Sequence, residues 1–201
     1  CVSTIHSFCI QQILAPYYWK LKGYESGFAI LSPEDDVFQD LRDETCERFN
    51  LVGDLRDAFE NISREPNGVP ISERLPAAAI SYFWQRQSEE RYIDFANVIY
   101  FSYRLLKDFP SIAEGIACKF KRIMVDEFQD TTALQLEILR EIGHFGRTEF
   151  FLVGDSYQSI YGFAGARPDL MSSFASELNA DTRCFLTGNF RSSAVIVDHA
   201  E

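Results

Sequence analysis

Two short apolar runs that each stop abruptly at an acid limit the possible folds more than any other feature of the chain. "RIMV" runs into Asp126-Glu127, and "FFLV" runs into Gly154-Asp155. Between them, "TTALQLEILREIG" puts Leu134, Ile138 and Leu139 on one face of a helix that ends at Gly143. A further helix is expected near Asp169 to Leu178, and a third candidate strand over Arg183 to Thr187. Strand and helix in strict alternation predict an α/β fold: a parallel sheet flanked by helices.

The upstream part reads differently. "CVSTIHSFCIQQIL" predicts a strand end, a Ser3-Thr4 turn, and a helix carrying Phe8, Ile13 and Leu14. "SPEDD" predicts a helix start, with Ser32 as N-cap, Pro33 at the first position and acids in the first turn. Val37, Phe38, Leu41 and Phe49 then recur at helical intervals, and a second helix is expected over Leu51 to Phe59. Three prolines and a glycine predict a loop over Ser63 to Pro76. Ala77 to Gln87, Asp94 to Lys107 and a short segment from Pro110 to near Lys119 read as helices. Residues 20–118 therefore form a mainly helical section, and 119–201 an α/β section.

Composition narrows the class. With 201 residues, 46% hydrophobic, and 18 Phe beside 9 Tyr, the chain can bury a substantial core as one domain or one with a smaller attachment. No apolar run reaches the roughly 18 residues of a membrane span, and no basic-then-apolar leader opens the chain. The first residue is Cys1 rather than Met, so a piece of a longer protein is expected. The 5 cysteines are scattered, with no C-x-x-C pair, and read as reduced thiols of a cytoplasmic protein. A net charge of −11 argues against sequence-independent nucleic-acid binding by the chain as a whole, while leaving room for a local basic groove.

In open parallel sheets, ligands gather outside the carboxyl ends of the strands. An aspartate directly after an apolar strand suits a hard cation such as Mg²⁺. Glu127 beside it can orient or deprotonate a water, and Gln158, three residues past Asp155, can bridge that water to a terminal phosphate. The plain alternative is a solvated turn, with Asp130 as the cap of the next helix.

"VDEFQDTT", then "FFLVGDSYQSIYGFAGARP", then "FLTGNFRSS" resemble motifs II, III and IV of the UvrD/Rep family of superfamily 1 DNA helicases. "STIHSFC" is similar to that family's early DNA-contacting motif, and "YIDFANVIYFSYRLL" to the helix before motif II. The resemblance implies a RecA-like parallel sheet beginning in residues 1–19 and resumed over 92–187. It also implies a helical inserted subdomain over 20–91, and a lead into a second RecA-like domain over 188–201. It implies ATP hydrolysis with Mg²⁺, driving movement on single-stranded DNA. By that resemblance Asp126 anchors the metal, Glu127 is the general base and Gln158 senses the γ-phosphate. Arg191 reaches the same phosphate across the cleft, and Phe190 stacks on adenine. Thr4, His6, Tyr161 and Phe163 take the DNA-contacting positions, and the insertion is a surface for duplex DNA or a protein partner.

Two departures matter. Ala164 follows Phe163 where many relatives carry an arginine, and no G-x-x-x-x-G-K-[ST] phosphate loop occurs anywhere. The chain alone is therefore expected to hydrolyse ATP poorly. Two other readings stay open from the residues: a degenerate DNA- or partner-binding protein of the same fold, and a metal-dependent nuclease using Asp126, Glu127, Asp130 and Asp155.

Overall fold

The computed structural model describes residues 2–155, 169–178 and 180. It opens with α1 (Ile5–Phe8), a π-helical stretch over Cys9–Leu14, and α2 (Ala15–Tyr17). No strand precedes α1 among the described residues, so the predicted strand end is not found. Thr4 instead caps α1, its Oγ1 accepting from the Ser7 N–H at 3.2 Å. The widened ladder has a cause in sequence. Pro16 has no N–H to give the carbonyl of Gln12, and the Ala15 N–H donates five residues back, to Ile10.

β1 (Ala29–Leu31) leads into α3 (Asp36–Phe49). The helix starts three residues later than the Ser32 cap and Pro33 start predict. Pro33 instead sits in a turn closed by the Asp35 N–H on the Ser32 carbonyl at 3.0 Å, a position proline favours equally. Asn50, left-handed at φ 54°, ends α3. The helix expected over Leu51 to Phe59 is two 3₁₀ turns, Gly53–Leu55 and Asp57–Asn61. The expected loop over Ser63 to Pro76 contains a hairpin of β2 (Ser63–Arg64) and β3 (Pro70–Ile71), turned at Asn67-Gly68.

α4 (Ala77–Glu89), β4 (Tyr92–Asp94), α5 (Phe95–Asp108) and α6 (Pro110–Lys119) follow. Then come β5 (Arg122–Val125), a 3₁₀ turn over Phe128–Asp130, α7 (Ala133–Gly143), β6 (Glu149–Leu152) and α8 (Asp169–Glu177). β5 and β6 pair in parallel, Arg122 opposite Glu149 through Val125 opposite Leu152. β1 and β4 form a second parallel pair, Ala29 opposite Tyr92 through Leu31 opposite Asp94. The section expected to be mainly helical thus holds its own parallel strands, too short for a periodic signal. Mixed helix and strand with parallel pairing fits the α/β class. The predicted strand over Arg183 to Thr187 lies outside the described residues.

Apolar side chains collect around three centres. The largest surrounds α5 and joins Ile13 and Leu14 of the opening helix to Val98, Leu106, Ile138 and Ile142. A second, whose buried side chains lie between Leu31 and Trp84, packs Phe38, Phe59, Ile80 and Phe83. The third lies under the β5–β6 pair, where Phe128, Leu136, Leu139 and Phe174 meet Ile123, Val125, Phe150 and Leu152. Each fully buried side chain of this size contributes roughly 1.5–3 kcal/mol. Among the described residues no helix is long and apolar enough to cross a membrane.

Candidate functional site

The third centre carries the site on its rim. β5 delivers Asp126 and Glu127 beyond its last ladder position, and both side chains are exposed. The ladder continues as a stitch around them: the Val153 N–H donates to the Val125 carbonyl, and the Phe128 N–H to the Val153 carbonyl, each at 2.9 Å. Phe128 is buried and stacks on Phe174 at 6.0 Å between ring centres, which anchors the turn from below.

Glu127 is strained. Its backbone is left-handed, φ 50° and ψ 43°, a region that costs a residue with a Cβ about 1 kcal/mol or more. Its N–H donates to Asp126 Oδ1 at 3.0 Å, so both acids belong to one turn. Gln129 holds Glu127 from inside: its Nε2 donates to Glu127 Oε2 at 2.6 Å. The same amide's Oε1 accepts from the Asp155 N–H at 3.0 Å. Gly154 makes that approach feasible, since a Cβ there would stand 2.7 Å from Gln129 Oε1 and 3.2 Å from the Phe128 nitrogen.

Asp130 does not cap the next helix. Thr132 does, in a capping box with Gln135: Thr132 Oγ1 accepts from the Gln135 N–H at 3.3 Å, and Gln135 Oε1 from the Thr132 N–H at 3.0 Å. Asp130 turns one oxygen inward, buried and without a hydrogen-bond partner among the described residues.

An exposed carboxylate of this kind fits Mg²⁺ brought with a nucleotide, because that ion takes one or two carboxylates and fills its octahedron with phosphate oxygens and water. A cage made by protein alone is not present: among the described residues no three His, Cys, Asp or Glu side chains gather as metal ligands.

The other predicted positions divide in two. Thr4 is exposed at the start of α1, with its hydroxyl engaged by Ser7. His6 packs edge-on against Phe95, 5.6 Å between ring centres, and burial holds its imidazole below its ordinary value. Gln158, Tyr161, Phe163, Phe190 and Arg191 lie outside the described residues. α8 packs on the turn through Phe174, and Arg140 of α7 makes a two-pronged ion pair with Glu177 at 2.6 and 2.7 Å.

Sequence reasoning passed over Gln129 and Gly154. Both stand inside the helicase-like motifs, but a neutral amide and a glycine show their roles only by what they touch.

An α/β domain with acids at the carboxyl end of a parallel pair is the class that fold and site define. Residues 1–179 match the UvrD/REP helicase N-terminal domain, and the chain belongs to that family. It is 28% identical over 223 residues to ATP-dependent DNA helicase UvrD1 of Mycobacterium leprae, covering 99% of this chain and 28% of that protein. It is 27% identical over 211 residues to ATP-dependent DNA helicase PcrA of Staphylococcus aureus, again 99% of this chain and 28% of the other. Against an ATP-dependent helicase/nuclease subunit of Lactobacillus gasseri, identity is 38% over 181 residues, 86% of this chain and 15% of that one. The chain thus spans less than a third of the length of these relatives.

Proposed function

We propose that this chain carries part of the ATP-hydrolysing machinery of a DNA helicase or translocase, with residues 20–91 as an inserted subdomain. The observation that carries the reading is the turn after β5: two exposed carboxylates, the second held in a strained backbone and oriented by a buried amide. Asp126 would hold Mg²⁺, which would supply charge neutralisation at the transferring phosphoryl group. Glu127 takes the proton of the attacking water. Gln158 lies three residues past Asp155 in sequence. Its amide aligns the water against the terminal phosphate.

Arg191 and Phe190 grip phosphate and adenine from the far side of the cleft. Tyr161 and Phe163 stack on successive bases of single-stranded DNA, a contact indifferent to sequence. Thr4 and His6 bond the DNA backbone. The insertion offers its surface to duplex DNA or a protein partner. With no G-x-x-x-x-G-K-[ST] in the sequence, the 201 residues alone turn ATP over poorly.

The test is steady-state ATP hydrolysis by a longer parent protein that contains these 201 residues, with and without single-stranded DNA. Glu127→Gln lowers kcat by about 10²–10⁴-fold while nucleotide still binds, and Asp126→Asn weakens Mg²⁺-dependent nucleotide binding. Wild-type turnover in Glu127→Gln, or robust turnover by the 201 residues alone, overturns the reading.

A further inference from the structure

We propose that Gln129 is a positioning residue that ties the carboxylate of Glu127 to the backbone leaving β6, so that the base and the backbone at Asp155 move together. This rests on the assignment of Glu127 as the base. Gln129 is only 2% exposed, and both ends of its amide are used. One end donates to Glu127 Oε2 at 2.6 Å; the other accepts from the Asp155 N–H at 3.0 Å.

The chemistry fixes which end is which. A carboxylate only accepts and a backbone N–H only donates, so a flipped amide would set acceptor against acceptor and donor against donor. The bond to Glu127 is charge-assisted and among the stronger kinds. Nothing between the two partners is slack. The backbone of Gln129 sits in a 3₁₀ turn anchored by buried Phe128, and Gly154 passes so close that a methyl group would not fit. A shift of the backbone at 154–155 therefore pulls the amide and, through it, the base. That backbone leads in sequence directly to Gln158, Tyr161 and Phe163. The same linkage runs in reverse: fixing Glu127 against a substrate fixes the backbone at Asp155.

Two substitutions in the longer parent protein separate the ends of the link. Gln129→Leu loses both bonds. Gln129→Glu still accepts from Asp155 but cannot donate to Glu127, and its added charge repels it. Amide hydrogen exchange at Asp155, read without nucleotide, speeds up about tenfold or more in Gln129→Leu and stays at the wild-type rate in Gln129→Glu. Both variants lose about a hundredfold in kcat, the scale expected of a misplaced catalytic group, with KM for ATP changed less than about threefold. Gly154→Ala, which alters neither polar partner, behaves like Gln129→Leu in both measurements.

A merely structural Gln129 gives a different result: exchange rises evenly along β5 and β6, and kcat per folded molecule is unchanged. Normal kcat in Gln129→Glu beside an inactive Glu127→Gln overturns the link alone. Unchanged exchange at Asp155 in Gln129→Leu does the same. Full activity in Glu127→Gln overturns the assignment of the base, and the kinetic role of Gln129 falls with it. Should Gln129→Leu fail to fold, Gln129→Glu and Gly154→Ala still decide the matter.

Discussion

Asp94 and Asp126 look alike in sequence, each an aspartate beside an apolar strand, "YID" in one case and "RIMVD" in the other. Their surroundings are opposite. Asp94 is 6% exposed and fully committed: Oδ2 accepts from Trp84 Nε1 and Oδ1 from the Asn97 N–H, each at 2.8 Å, so it caps α5. Arg64 lies nearby, its guanidinium over the Trp84 ring at 3.8 Å and the Tyr100 ring at 4.5 Å, beside a cavity of about 270 Å³. Burial pushes the Asp94 carboxyl above its ordinary range and the Arg64 guanidinium below its own, each charge only partly offsetting the loss of water around the other. Asp126 is exposed, and among the described residues the hydrogen bond it accepts comes from its neighbour's N–H. An acid at a strand end is thus no site by itself. What marks one is a lone pair that the fold has left unspent.

The contrast breaks most directly at Asp94. Asp94→Ala strands two buried donors and removes a helix cap, so it should cost about 3 kcal/mol in urea unfolding. A loss under about 1 kcal/mol would mean Asp94 is as free as Asp126. The next effect is one of pH. Because the folded pKa of Asp94 lies above its ordinary 3.8, the folded state holds the proton longer than the unfolded state. Its contribution is therefore present in full below that value and is lost as pH rises through the folded pKa. In Asp94→Asn the group no longer titrates. The stability of the wild type minus that of the variant should fall with rising pH, by at most about 1.4 kcal/mol per pH unit. A difference that grew with pH would reverse the assignment. The smallest effect belongs to the exposed acid: Asp126→Asn should move stability by no more than about 0.5 kcal/mol, while weakening Mg²⁺-dependent nucleotide binding. A large loss of stability there would show that Asp126, too, is structural.

Much of this arrangement could be read from the amino-acid order. α4, α5, α6 and α7 follow apolar spacing that local chemistry alone produces, and the acids after β5 stand out because apolar runs rarely end in two charges. β1 and β4 escape such a reading because three residues carry no period. They are strands by virtue of each other, across more than sixty positions of chain. The same holds for the acids. Asp94 reads simply as the start of a helix, since its burial depends on Trp84 ten residues upstream and on Arg64 thirty upstream. Gln129 stays hidden between louder neighbours, because an uncharged amide is defined by the two groups it joins.

The left-handed turn at Glu127 carries one more lesson. Nothing in glutamate favours that conformation; the ladder to β6, the ring of Phe128 and the amide of Gln129 impose it from outside. A synthetic thirteen-residue peptide spelling Phe120 to Thr132 would hold every letter of the motif, yet its backbone would relax to the ordinary right-handed or extended basins and scatter the two acids. The arrangement belongs to the neighbourhood and not to the string.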